Sequence, residues 1–288
     1  MKHACLILAH NEFEVLERLI RALDDVRNDI YIHFDRKLKE YPAFQTRHAG
    51  LYVLTERIDV RWGDVSVVEA EYALFEAAYR QIGYDYYHLL SGVDMPLKSP
   101  DYIHDFFDKH KGKEFIGYYQ GNIDAQIERK VQRYHLFPKH FRETKGWKAL
   151  GRKCLRSAFL RLQILLGIKR NRNVLFKKGT QWISITGDFV EYLLARKKQV
   201  LDTCRHTFCS DEIFVQTVCW SSPFRDRIYD PHDEGHGCMR MINWKDNRLK
   251  EWEEKDYGIL MQSDALFARK FSGKHIEVVN RILNQIEC

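Results

Sequence analysis

In the first hundred residues, short runs rich in β-branched and aromatic side chains alternate with stretches of helical period, and that alternation leaves few folds open. Strands are predicted over 5–8, 30–34, 51–54 and 86–90, and helices over 12–23 and 65–79. The first helix puts Val15, Leu16, Leu19, Ile20 and Leu23 on one face; Asp64 or Ser66 is the expected cap of the second. Strand, helix, strand in this order gives an α/β protein with a Rossmann-like nucleotide-binding sheet and flanking helices, in which ligands gather at the carboxyl ends of the strands. His10, Asp35 and Asp94 each follow a predicted strand and are therefore placed to meet a nucleotide. Beyond them we predict a strand within 179–185, helices over 188–196 and 211–218, the latter capped by Ser210, and a mostly helical tail from Trp252. Nothing resembles a repeat or a Pro/Gly-rich linker, so one domain over 1–288 is expected.

Charge adds a second constraint. Hydrophobic residues make up 45% and charged residues 30%, as in an ordinary globule, and no apolar run is long enough to span a bilayer. The apolar stretch at the N-terminus reads as a buried strand rather than a leader, and seven cysteines without a Cys-x-x-Cys pair argue for reduced thiols in a cytoplasmic setting. The net charge of +6 is concentrated: residues 142–178 hold twelve Lys or Arg against one acid, Glu143, interleaved with leucines. Such a segment either packs its apolar stripe on its own domain, the reading narrowly preferred here, or lies on an anionic membrane. Without a recognition helix or an aromatic-studded sheet motif, nucleic acid is not an expected partner.

The chemistry-bearing residues come later in the chain. Asp211-Glu212 opens a predicted helix, where the macrodipole favours an acid. Phe208, Cys209, Ile213, Phe214 and Val218 around it predict a buried setting that raises a carboxylate's proton affinity toward that of a useful base. Two basic clusters follow, Arg248-Leu249-Lys250 and Arg269-Lys270, and Lys270 is anchored between Leu266-Phe267-Ala268 and Phe271. A carboxylate that takes a proton, with fixed cations that hold a departing diphosphate, is the minimum needed to move a sugar from a nucleotide to a hydroxyl without a metal ion. A single acid, Asp94, stands where a metal-binding acidic pair would follow the central strand, so no metal cofactor is expected. His232, His236 and Cys238, in a glycine-broken stretch read as a flexible loop, form the one cluster resembling a zinc site, and the serines form no nucleophile elbow. Trp62, Trp182, Trp244 and Tyr134 are either core residues or sugar-stacking platforms.

Several segments carry a resemblance: Leu6-Ile7-Leu8-Ala9-His10, Tyr31-Ile32-His33-Phe34-Asp35, Trp62-Gly63-Asp64, Leu89-Leu90-Ser91-Gly92-Val93-Asp94-Met95-Pro96, Gly179-Thr180-Gln181-Trp182, Ser210-Asp211-Glu212, Asn243-Trp244 and Phe267-Ala268-Arg269-Lys270-Phe271. In this order the chain resembles the core-2/I-branching β-1,6-N-acetylglucosaminyltransferases, whose relatives include peptide O-xylosyltransferases, and looks most like their compact bacterial members. The resemblance implies a GT-A type fold with a donor-nucleotide half (1–118) and an acceptor and catalytic half (119–288), an inverting mechanism and independence from divalent metal. By the same resemblance Glu212 is the catalytic base, and Lys270 binds the donor diphosphate together with Arg248 or, in its place, Lys250. Asp35 contacts the donor nucleotide, Trp244 stacks on the acceptor and Arg129 is an acceptor-side arginine. The animal enzymes carry a membrane anchor and several disulfides, neither of which is expected here. The leading expectation is transfer of N-acetylglucosamine from UDP-GlcNAc to a surface-glycan precursor, free or on a lipid carrier, at the inner face of a bacterial plasma membrane. UDP-xylose as donor is the alternative, and a catalytically silent glycan-binding module with Trp244 and Trp182 as platforms is the alternative from another class.

Overall fold

The computed structural model describes the chain except for Ile82, Asp246, Asn247, Cys288 and the side chain of Arg248. Its strands are β1 (His3–Ala9), β2 (Asn28–Phe34), β3 (Gly50–Val53), β4 (Tyr86–Ser91), β5 (Asp94–Pro96), β6 (Ser184–Thr186), β7 (Arg240–Ile242), β8 (Trp244–Lys245), β9 (Arg248–Leu249) and β10 (Phe267–Arg269). The main sheet has the order β3-β2-β1-β4-β6, the first four strands parallel and β6 antiparallel to β4. A second sheet, β5-β10-β7, lies beyond the end of β4, and β8-β9 is a short hairpin.

The period-two alternation of the strands decides what packs on each face. Cys5, Ile7, Ala9, Ile30, Ile32 and Phe34 join one apolar cluster with Leu16 and Leu19 of α1 (Phe13–Ala22). Ala4, Leu6, Tyr31 and Leu89 join another with Tyr72 and Phe75 of α2 (Ser66–Tyr79). Both faces are thus covered, as a parallel sheet requires, and each fully buried Leu or Ile contributes about 1.5–3 kcal/mol. The remaining helices are α3 (Pro100–Lys109), α4 (Asp124–Lys130), α5 (Trp147–Leu165), α6 (Gly187–Ala195), α7 (Lys197–Cys204), α8 (Phe214–Trp220), α9 (Glu234–Cys238), α10 (Tyr257–Gln262) and α11 (Ile276–Ile286). Helix α11 returns Val278, Val279 and Ile282 to the α1 side of the sheet.

The elements predicted for the first half fall within two residues of their predicted bounds, and Asp64 does accept from the first amide of α2, that of Ser66, at 3.1 Å. Four expectations need correction. The strand expected within 179–185 is confined to Ser184–Thr186, and the tail is interrupted by β10, whose three residues are too few to show a period. Ser210–Glu212 is one 3-10 turn entered through a left-handed Cys209 (φ 51°), Ser210 caps nothing with its side chain, and α8 starts only at Phe214. The loop expected around His236 is the short helix α9, with Asp233 accepting from the His236 amide at 2.8 Å.

Candidate active site

The strand ends open into a cleft of about 1470 Å³. Its floor comes from His10 and Asn11 after β1, Asp35 and Lys37 after β2, and Ser91 and Gly92 at the end of β4. The second sheet and the hairpin add Ile242, Arg269, Lys270, Trp244 and Leu249, and a third side holds Lys139, Arg142, Lys178, Asp211 and Glu212. Burial of β1, β2 and β4 on both faces fixes the backbone of the first group, so those side chains start from a rigid rim.

On that rim Asp35 is buried and already engaged: its carboxylate accepts from the Lys37 amide at 2.9 Å and lies 2.7 Å from the Lys37 ammonium. Lys270 leaves a strand whose neighbours Leu266, Phe267, Ala268 and Phe271 are all buried. Its carbonyl accepts from Trp252 N at 3.0 Å, so its backbone is pinned as its sequence context predicted, while its ammonium reaches into the cleft 3.3 Å from Glu251. Such a cation, its backbone fixed and its ammonium in the cleft, can meet a diphosphate that takes the place of Glu251.

Glu212 is set differently. The Gly179 amide donates to its carbonyl at 2.9 Å, and a side chain at Gly179 is impossible because a Cβ there would lie 1.8 Å from the Gly117 carbonyl oxygen. The Glu212 carboxylate is 34% exposed and stands 3.3 Å from Lys130 and 3.6 Å from Lys178. Two ammonium groups, rather than the apolar wall expected from the sequence, are therefore its immediate surroundings. The apolar burial falls on its neighbour: Asp211, with Oδ1 sealed from water, is pushed up to about 7 by desolvation and then by the Glu212 charge. Behind it Glu71 is wholly buried and held well above the usual carboxylate range by desolvation and by Asp211, and it accepts from Gln181 Nε2 at 2.6 Å. Glu234 also faces the cleft, raised by burial and opposed by Lys178.

Six of the residues singled out from the sequence line this one cleft: His10, Asp35, Trp182, Glu212, Trp244 and Lys270. Trp244 is 63% exposed on the hairpin, open to a ligand, whereas Trp182 is almost buried with the Arg269 guanidinium 3.9 Å from its ring. Asp94 is not at the surface of the cleft. It is buried one layer behind, accepting from Ser91 N at 3.0 Å and Ser91 Oγ at 2.5 Å and lying 3.4 Å from Arg269, so it braces the floor instead of meeting a nucleotide. Arg129 of α4 is exposed and does not line the cleft; its neighbour Lys130 lies 3.3 Å from Glu212. Lys250 is exposed and does not line the cleft, and the side chain of Arg248 lies outside the described residues. His236 pairs with Asp230 at 2.7 Å and the Cys238 thiol donates to the Glu234 carbonyl, so two of the three residues resembling a zinc site are occupied with other partners. Sequence reasoning missed Lys130, Lys178, Glu71 and Gln181. The signal for Lys178 was its place directly before Gly179-Thr180, but nothing in the sequence marks a helical lysine as the one that turns inward.

The sequence pattern of the core-2/I-branching enzymes matches residues 4–269, which include all of the cleft except Lys270 and Phe271 at its edge. The chain belongs to the core-2/I-branching enzyme family. Membership places it among glycosyltransferases, and the mostly parallel sheet with helices on both faces is the GT-A type fold of that family. Curated relatives of this family member include xylosyltransferase 2 of Rattus norvegicus, 23% identical over 93% of this chain and 32% of the rat protein. Xylosyltransferase 2 of Canis lupus familiaris is 22% identical over 98% and 33%, and xylosyltransferase oxt of Drosophila melanogaster 23% over 94% and 31%. The family member spans about a third of the length of these relatives. Among its described residues no helix is long and apolar enough to cross a membrane.

Proposed function

We propose that the cleft transfers a sugar from a nucleoside diphosphate donor to a hydroxyl of a glycan acceptor, with inversion and without a divalent metal. The observation that carries this reading is the meeting, in one cleft at the strand ends, of a part-exposed carboxylate, Glu212, and a lysine pinned by its backbone whose ammonium enters the same cleft. Glu212 removes the acceptor hydroxyl proton as that oxygen forms its bond to the anomeric carbon. The bond from that carbon to the diphosphate breaks on the opposite side, and Lys270 meets the charge that grows on the leaving group. Lys130 and Lys178 hold the base in place. Asp35 and His10 form the part of the rim where the nucleoside rests, and Trp244 offers its open ring to the acceptor sugar.

The donor we propose is UDP-GlcNAc, linked β-1,6 to a surface-polysaccharide precursor on the cytoplasmic face of a membrane. UDP-xylose is the second reading, favoured by the names of the curated relatives. A donor panel read by thermal shift, followed by proton NMR of the anomeric signal of the product, tests both. UDP-GlcNAc should raise Tm more than UDP-xylose and give a product of inverted configuration; the reverse ranking moves the assignment to xylose. No shift with any nucleotide sugar would leave a glycan-binding module. Activity should also survive EDTA, and recovery by Mn²⁺ after a loss on chelation would overturn the metal-free mechanism.

A further inference from the structure

Helix α5 is built inside out. An ordinary surface helix turns its apolar stripe inward and its charges outward. Here the inward side is carried by Ala149, Arg152, Arg156 and Gln163, with Phe159 and Leu160 half-buried among them. Gln163, 1% exposed, accepts from Tyr134 N at 2.8 Å and donates to Tyr134 O at 2.9 Å, the Arg156 guanidinium lies 4.8 Å from the Phe141 ring, and Arg152 pairs with Glu143. No α5 side chain joins any of the three apolar clusters of the described residues. The outward side holds Trp147 (81% exposed), Leu155 (58%), Leu162 (49%) and Leu165 (82%), flanked by Leu150 and continued by Leu166 and Ile168. Lys148, Lys153 and Arg161 border this stripe, exposed and, among the described residues, without an ion-pair partner.

We infer that the outward face of α5 docks on an anionic lipid bilayer, lying in the plane of the headgroups. Apolar side chains between unpaired cations match the two layers of such a surface, acyl chains beneath and negative headgroups above, and a tryptophan at the end of the helix suits the boundary between them. A second copy of the chain is the poorer occupant, because Lys148, Lys153 and Arg161, on a helix without an acid, would be brought against their like. The docking face and the cleft form one unit: Lys139, Arg142 and Glu143 line the cleft, and Glu143 is the residue that Arg152 of α5 grips. Docking therefore brings this rim of the cleft to the lipid surface, where an acceptor on a lipid carrier would be found. This refines the proposed acceptor, but binding to lipid stands or falls separately from sugar transfer.

The test is co-sedimentation with vesicles of phosphatidylcholine, with and without phosphatidylglycerol. Cys154 is exposed on the stripe while the other described cysteines are buried, so in a Cys288→Ser background it takes a polarity-sensitive fluorophore as a second readout. Binding should require the anionic lipid and weaken with salt, and each of Lys148→Gln, Lys153→Gln and Arg161→Gln should weaken it about fivefold. Leu155→Glu with Leu162→Glu should abolish it, leave the circular dichroism unchanged and spare hydrolysis of the soluble donor. Absence of binding at low salt, or equal binding to neutral vesicles, overturns the proposal. So does a dimer in solution that the double glutamate variant dissociates, which would assign the stripe to a second copy.

Discussion

The two sides of the cleft are held by different forces. The strand-end rim rests on side chains packed dry on both faces of the sheet, among them Ile7, Ile32 and Leu90, whereas the residues around Glu212 and α5 are latched by charges and amides: Lys130, Lys178, the Gln163 bridge to Tyr134 and the Arg152 pair with Glu143. Apolar packing is strong, unselective as to pH and costly to alter. A charge latch is weaker in net free energy, and its strength depends on which groups are ionised. On the proposed reading, the rim that would receive the nucleotide is thus the stiff side, and the side that would take the proton and face the acceptor is adjustable.

The sharpest way to break this contrast is to remove the same chemistry from both regions. Ile32→Ala leaves a cavity beneath the rim and should destabilise the protein by about 2–5 kcal/mol, while Leu162→Ala on α5 should change stability by less than about 0.5 kcal/mol. Equal costs in urea unfolding would mean that α5 is packed as tightly as the sheet.

Next in size is Glu212→Gln, which keeps the shape of the side chain and removes the base. Turnover should fall about a hundredfold or more with donor binding nearly unchanged. Activity within a few-fold of the parent would take Glu212 out of the mechanism and leave its charge latch as structure alone.

Lys270→Ala and Lys130→Met separate the two sides by their kinetics. Lys270 meets charge that appears as the donor bond breaks, so its loss should lower kcat by roughly tenfold or more with a smaller change in KM for the donor. Lys130 positions Glu212 and touches no donor, so its loss should be smaller, should be seen mainly as a changed pH profile, and should be partly rescued by Lys130→Arg. Identical profiles for the two variants would erase the distinction between a leaving-group cation and a positioning one.

What the sequence showed of the fold and site follows the same divide. Period-two and period-3.6 patterns record apolar packing, so α1, α2 and the strands β1, β2 and β4 were legible nearly to the residue. Helix α5 has most of its apolar stripe outward, and a pattern cannot say which way a stripe faces; the preferred reading, that the stripe packs on its own domain, does not fit the exposure of Trp147, Leu155 and Leu165. Glu212 and Lys270 were legible because a family resemblance and a local apolar context pointed to them. Lys130, Lys178 and Glu71 were not, since they reach Glu212 or Asp211 from residues 82, 34 and 140 or more positions away and no short-range pattern encodes such a meeting.

The smallest effect expected is one of pH, and it tests whether the acidic cluster is poised as described. Asp211 keeps its proton in the folded protein up to about pH 7, whereas in the unfolded chain it ionises near its ordinary value of 3.8. Its contribution to stability is therefore fully present below pH 4 and is lost as the pH rises through 7, where folding must bury a charge beside Glu71 and Glu212, opposed only in part by backbone amides and Lys130. Asp211→Asn keeps the shape and removes the charge. The variant should match the parent at pH 4 and exceed it at pH 8, by ~2–4 °C in Tm for each kcal/mol relieved. Glu114, also pushed up to about 7 by burial where it accepts from Thr186, imposes the same slope on both proteins and cancels in the difference. A difference that stays flat from pH 4 to 8 would show that Asp211 is ionised throughout, and the adjustable side of the cleft would then owe nothing to a proton stored next to the base.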